Sequence, residues 1–134
     1  MLKAHQYSIV IQETDLDSYG HLNNAAYLRL FEQARWDLTN SNGYGIKQIS
    51  ESKQGPVILE IYLKFRKELR ARDQVIIETS MMEMSGKVSK VKQVMKKANG
   101  DEACEAQFTF GLFDLATRKL IEPTEAWKKA VEVK

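Results

Sequence analysis

The tightest constraint on the fold of this chain is a change of period: a helical apolar stripe runs out at Leu38, and from Val57 the sequence alternates. Starting at Tyr27, the apolar positions fall at Leu30, Phe31, Ala34 and Leu38, spacings of three and four that gather on one helix face. Leu28 and Trp36 widen that stripe, so the helix is expected to be wrapped by the rest of the chain. Asn23 or Asn24 can cap its start, and Gly43, after Asn40-Ser41-Asn42, can end it in a left-handed turn.

Past the helix, Val57, Leu59, Ile61, Leu63 and Phe65 alternate with Ile58, Glu60, Tyr62, Lys64 and Arg66, which predicts a strand with one apolar face. Further strands are expected over 75–84, 88–97 and 102–114, separated by turns at Arg72-Asp73, Ser85-Gly86-Lys87 and Asn99-Gly100. The Asn-Gly pair predicts a type I′ hairpin, in which both central residues take positive φ. Residues 7–12 read as a first strand, Thr14 to Gly20 as a polar break, and Pro123 opens a short closing helix over 124–131. Consecutive strands joined by short turns must run antiparallel. Five of them against one apolar helix make a two-layer α+β domain, and residues 1–134 are expected to form that single unit. The other sheet face carries Lys90, Lys92 and Lys96 beside apolar residues, and the sheet has open edges, so self-association is expected.

Charge and cysteine content narrow the function. Twenty basic against 18 acidic side chains leave a net charge of +2, and the lysines are interspersed with glutamates, which is no footprint for nucleic acid. One cysteine, Cys104, excludes an intrachain disulfide and a cysteine-based metal cage, and its strand setting predicts a buried, inert thiol. The polar N-terminus lacks the apolar core of a signal peptide, and no apolar run approaches the roughly 20 residues of a membrane span. A soluble cytoplasmic protein with no membrane partner is expected.

Chemistry concentrates in 15–35. Asp15, Asp17, Ser18, Tyr19, Gly20, His21, Asn23 and Asn24 are dense in proton-transfer and hydrogen-bonding groups, and they lead straight into the helix. Helix starts leave unpaired N–H groups and partial positive charge, which suit a developing oxyanion. An aspartate just before that point can act as base or nucleophile, and a histidine four residues later can orient substrate or water. The same residue types are also ordinary turn and capping residues. Asp15, Asp17 and His21 lack the spacing of a metal motif, so neither metal nor cofactor is expected.

The run Asp15-x-Asp17-x-x-Gly20-His21-x-Asn23-Asn24-x-x-Tyr27, continuing to Phe31-Glu32-x-Ala34-Arg35, resembles the signature of the 4-hydroxybenzoyl-CoA thioesterase family and its acyl-CoA thioesterase relatives. Its Asp-x-x-x-His-x-Asn-Asn part is also similar to the acyl-ACP thioesterases, although Tyr19 stands where those enzymes carry an asparagine. The resemblance implies a hotdog fold, a five-stranded antiparallel sheet wrapped around one long helix, with sites built at a homodimer interface and homotetramers common. It implies Asp17 as the catalytic carboxylate, the Asn24 backbone N–H as donor to the thioester oxygen, and His21 as a helper. By the same resemblance Tyr19, Gly20, Asn23, Tyr27 and Glu32 are expected to bind substrate. The implied substrate is an acyl-CoA, or an acyl group on a carrier protein. Two rivals stay open: a hydratase or dehydratase of the same fold, and a non-catalytic acyl-CoA or acyl-carrier binding module.

Overall fold

The alternating half of the chain becomes one antiparallel sheet in a computed structural model that describes residues 3–134. Its long strands are β1 (His5–Val10), β2 (Gln54–Phe65), β3 (Gln74–Ser85), β4 (Val88–Lys97) and β5 (Glu102–Asp114). They lie in the order β1-β3-β4-β5-β2, which leaves β1 and β2 at the edges. All five expected strands are present. A sixth, β6 (Lys119–Ile121), pairs with Leu112, Phe113 and Asp114 at the end of β5; three residues are too few to show a period.

One long helix, α1 (Asn24–Ser41), packs on one face of this sheet. Asn23 is its cap: the side-chain oxygen accepts from the Ala25 N–H at 2.9 Å. Gly43, at φ +81, supplies the left-handed residue just past its end. Tyr27, Leu30, Phe31, Ala34 and Leu38 are buried, as their spacing predicts. Each large side chain among them contributes roughly 1.5–3 kcal/mol on burial, more than intrinsic helix propensity supplies. Opposite them stand Phe108 and Phe110 of β5, Val91 and Met95 of β4, and Ile77 of β3. One polar side chain sits in this layer. Gln93 is fully buried and donates to the Phe31 carbonyl and to Thr79 Oγ1, both at 3.0 Å. Its own oxygen accepts from Arg35 Nη1 at 2.8 Å, so its polar atoms are all satisfied.

Four local readings change. In β2 a bulge at Leu59 shifts the register between Ile58 and Glu60, so the expected single apolar face is broken. Ile58, Ile61, Leu63 and Phe65 lie opposite Phe110, Phe108, Ala106 and Cys104, while Val57 passes to the other side. The strand also starts earlier than expected and includes Pro56, which an edge strand tolerates. At Asn99-Gly100 the hairpin is present but its turn differs. Only Gly100 has positive φ (+91), Gly100 N–H donates to the Lys97 carbonyl, and Lys97 N–H donates to the Asp101 carbonyl, each at 2.8 Å. That is a three-residue loop with glycine in the left-handed position. A short helix, α2 (Ile46–Ser52), fills the stretch left unassigned before β2, with Ile49 packed on the core. The closing helix α3 (Glu125–Ala130) begins after a Thr124 cap, which puts Pro123 outside it rather than in its first turn. α3 seals the far end of α1 through Trp127, edge-on to Tyr44 at 5.3 Å. Among the described residues no helix is long and apolar enough to cross a membrane.

Candidate active site

The polar break before α1 folds on itself through its own backbone. Asp17 N–H donates to the His21 carbonyl at 2.8 Å, Gly20 N–H to the Asp17 carbonyl at 3.1 Å, and Asn23 N–H to the Asp15 carbonyl at 2.8 Å. Gly20, at φ +78, takes the left-handed position this turn requires. The Asp17 carboxylate closes the loop from inside: Oδ1 accepts the N–H of Tyr19 at 2.9 Å and of His21 at 3.1 Å. Oδ2 has no partner among the described residues. Asp15 turns the other way, onto the Arg29 guanidinium of α1, and so ties the loop to the helix rather than facing Asp17.

A second segment closes the site. Leu22 N–H donates to the Leu69 carbonyl at 2.7 Å, which docks the β2–β3 connection against the loop. Between them lies an open cavity of about 490 Å³. Asp17, His21, Asn23, Asn24 and Tyr27 line one wall; Phe65, Arg66, Lys67 and Glu68 line the other. The Asn24 N–H, at the exposed start of α1, donates to nothing among the described residues. Tyr27 meets Phe65 edge-on, centroids 4.9 Å apart. Burial, with smaller effects from Cys104 and Asp17, pushes the Tyr27 phenol up to about 12, so it stays a neutral hydrogen-bond donor at physiological pH. His21 Nε2 lies 3.2 Å from Glu68 Oε2, an ion pair when the imidazole is protonated. A hydrogen bond from Arg70, then the charge of His21, hold the Glu68 carboxyl below the usual range.

Of the residues singled out by sequence, Asp17, His21, Asn23, Asn24 and Tyr27 therefore meet in one cavity. Three do not line it. Tyr19 is 83% exposed and contributes its backbone N–H to Asp17; Gly20 shapes the turn; Glu32 faces a different cavity near the far end of α1. Phe65, Arg66, Lys67 and Glu68 were not anticipated, although the cluster Lys64, Arg66, Lys67, Arg70 and Arg72 at the end of β2 was a visible signal. Lys67 pairs with no carboxylate among the described residues, whereas Arg66 is bound to Glu105 at 2.8 Å.

Cys104 lies outside the site and is buried, as expected. Desolvation, then Glu105, pushes its thiol up to about 12, so it stays protonated across the working range. In native protein at pH 8 a thiol-reactive dye should label it slowly, and guanidinium unfolding should release one thiol per chain at once. Fast native labelling would contradict the burial.

Comparison with known proteins identifies the family and the fold. The sequence model of the thioesterase-like superfamily matches residues 11–131. The chain is similar to the long-chain acyl-CoA thioesterase FadM of Escherichia coli, 30% identical over 118 residues, 87% of this chain and 88% of that protein. Among solved structures it is similar to the probable thioesterase YbaW of Escherichia coli, with a TM-score of 0.84 and 27% identity over 96% of this chain and 98% of that one. The fold is also shared with a Staphylococcus aureus protein solved in complex with CoA, at a TM-score of 0.89 and 17% identity, covering 98% of this chain and 84% of that one.

Proposed function

The chain belongs to the thioesterase-like superfamily and is a hotdog-fold thioester hydrolase, and from that premise we propose that it hydrolyses acyl-CoA thioesters with Asp17 as its catalytic carboxylate. The observation that carries this reading is the split role of the Asp17 side chain. Oδ1 is anchored by two backbone N–H groups while Oδ2 has no partner among the described residues, and Asp17 lines the same cavity as Asn24, whose N–H is unpaired. A thioester whose carbonyl oxygen lies on that N–H exposes its carbon to Oδ2, or to a water that Oδ2 deprotonates. The bond to sulfur then breaks, and the thiolate leaves with little acid assistance because a thiol's pKa is only about 8.5. In the base route water supplies the new oxygen of the released acid directly. In the nucleophilic route water opens the mixed anhydride; when it attacks the Asp17 acyl carbon, its oxygen stays in Asp17 while a former Asp17 oxygen leaves with the acid. Oxygen from labelled water found in Asp17 itself after one turnover identifies the nucleophilic route.

His21 and Tyr27 border the reacting carbonyl and help hold substrate or water, and Asn23 fixes the helix start. The free Lys67 ammonium on the opposite wall favours an anionic thiol carrier. CoA is preferred to a carrier protein because the relative matched over nearly its whole length is an acyl-CoA thioesterase. The deciding experiment is thiol release across short, long and aromatic acyl-CoAs. Enoyl absorbance without thiol release would identify a hydratase, and binding without either would identify a binding module.

We also propose a homodimer joined along β2. That edge leaves Ile61 47%, Phe65 52% and Tyr62 56% exposed, beside the second wall of the site. Ile61→Lys sets a charge in that edge and should shift the molecular mass in light scattering from dimer toward monomer. An unshifted dimer would move the interface elsewhere.

A further inference from the structure

A second cavity, of about 120 Å³, lies at the other end of the seam between α1 and β2. The first cavity touches Tyr27 and Phe65; this one is walled by Arg35 and Trp36 of α1, Pro56 and Ile58 of β2, and Trp127 of α3. Helix and strand therefore run in opposite directions along the seam, and Arg35 stands about 12 Å beyond Tyr27 along the helix axis. Between the two, the residues that β2 places on its helix side are the half-exposed Ile61 and the partly buried Leu63, both apolar.

An arginine is an unexpected wall for such a space. Its guanidinium lies 4.1 Å from the centre of the Phe108 ring, and Nη1 is held by the fully buried Gln93, itself fixed by Phe31 and Thr79. The fork is thus aimed by neutral partners. No carboxylate lies within ion-pair distance of it among the described residues, and its remaining N–H groups have no protein acceptor there, yet none is sealed from access. Burial pushes Arg35 down to about 10, with Glu32 acting against that, so it remains a cation at physiological pH, short of water and of a counter-ion. Glu32 lines the same cavity one turn earlier without touching it. A group placed between the two meets a donor on one side and an acceptor on the other.

We propose that this cavity receives the far end of an aliphatic acyl chain and selects one ending in a hydroxyl, which accepts from Arg35 and donates to Glu32. A methyl end leaves the half-buried Arg35 fork unpaired, and a carboxylate end pairs with Arg35 only against the like charge of Glu32. The inference rests on the acyl-thioester reading above, and its test separates the two. Purified protein is assayed for thiol release on straight-chain acyl-CoAs from octanoyl to hexadecanoyl, each with a methyl, hydroxyl or carboxyl terminus. At the length that reaches Arg35, kcat/KM for the hydroxyl end should exceed that for the methyl end on the order of tenfold. Arg35→Met and Glu32→Gln should each bring that ratio toward one. Taken within one variant, the ratio is insensitive to the fraction of Arg35→Met protein that folds, and Glu32 is exposed, so its replacement perturbs little packing. Equal rates for all three ends at every length would overturn the inference, as would a carboxyl preference or a ratio that neither variant moves. Thiol release from no member of the panel would sink the acyl-CoA reading itself, and the inference with it.

Discussion

Asp17→Asn should lower kcat on acyl-CoA by about a hundred- to ten-thousand-fold while leaving the protein folded. The two halves of that expectation come from the two oxygens of one side chain. Asparagine keeps an oxygen where Oδ1 accepts from Tyr19 and His21, so the turn before α1 persists, held by neutral rather than charge-assisted hydrogen bonds. The stability change should stay near 1 kcal/mol, visible as a small shift in the urea midpoint. What is removed is the charge and basicity of Oδ2. KM should change little, because in the proposed complex substrate is held by the Asn24 N–H, Tyr27 and the far wall of the cavity rather than by Oδ2. Asp17→Ala provides the contrast: it loses the turn as well as the carboxylate, so both turnover and stability should fall. If Asp17→Asn turned over within tenfold of the parent, Asp17 would be a loop-former only and the catalytic assignment would be wrong.

That double role explains why the site was half legible. Asp, Gly and Asn before a helix are what a turn and a cap require, and Asp17, Gly20 and Asn23 do serve the turn and the cap. The family signature, not the turn chemistry, separates Asp17 from Asp15, and in the structure Asp15 is taken up by the Arg29 guanidinium of α1. Helix and strands were legible because each buries one face, and burial on one face leaves a period. Where burial is interrupted the period misleads. The bulge at Leu59 moves Val57 to the other face without any change of composition, and α2, with two apolar residues in seven, is too short to show a stripe. The opposite wall was illegible for another reason. Arg66, Lys67 and Glu68 reach the site only because the β2–β3 connection docks on Leu22, a contact between segments far apart in the chain. No local pattern encodes that pairing.

Phe108→Ala should cost roughly 3–5 kcal/mol, a fifth or more of the roughly 5–15 kcal/mol that holds a domain of this size. Phe108 lies in β5, between β4 and β2, opposite Val91 on one side and Ile61 on the other. Its ring meets Phe31 edge-on, centroids 5.9 Å apart at 67°, and carries the Arg35 guanidinium on its face. One side chain therefore joins the helix stripe, the sheet and the cation that α1 sends toward its far cavity. Truncation removes the buried ring and leaves a void that neighbouring strands cannot close, since their registers are fixed on both sides. It also strips the desolvated guanidinium of its aromatic partner, a loss beyond area burial. The urea midpoint should fall with the slope unchanged, and the melting temperature should drop by roughly 10 °C or more. Phe108→Leu, which keeps most of the volume, should lose well under half as much. A small effect from Phe108→Ala would mean that α1 is held to the sheet from its ends, by Tyr27 and Leu38, and that the centre of the wrap contributes shape rather than stability.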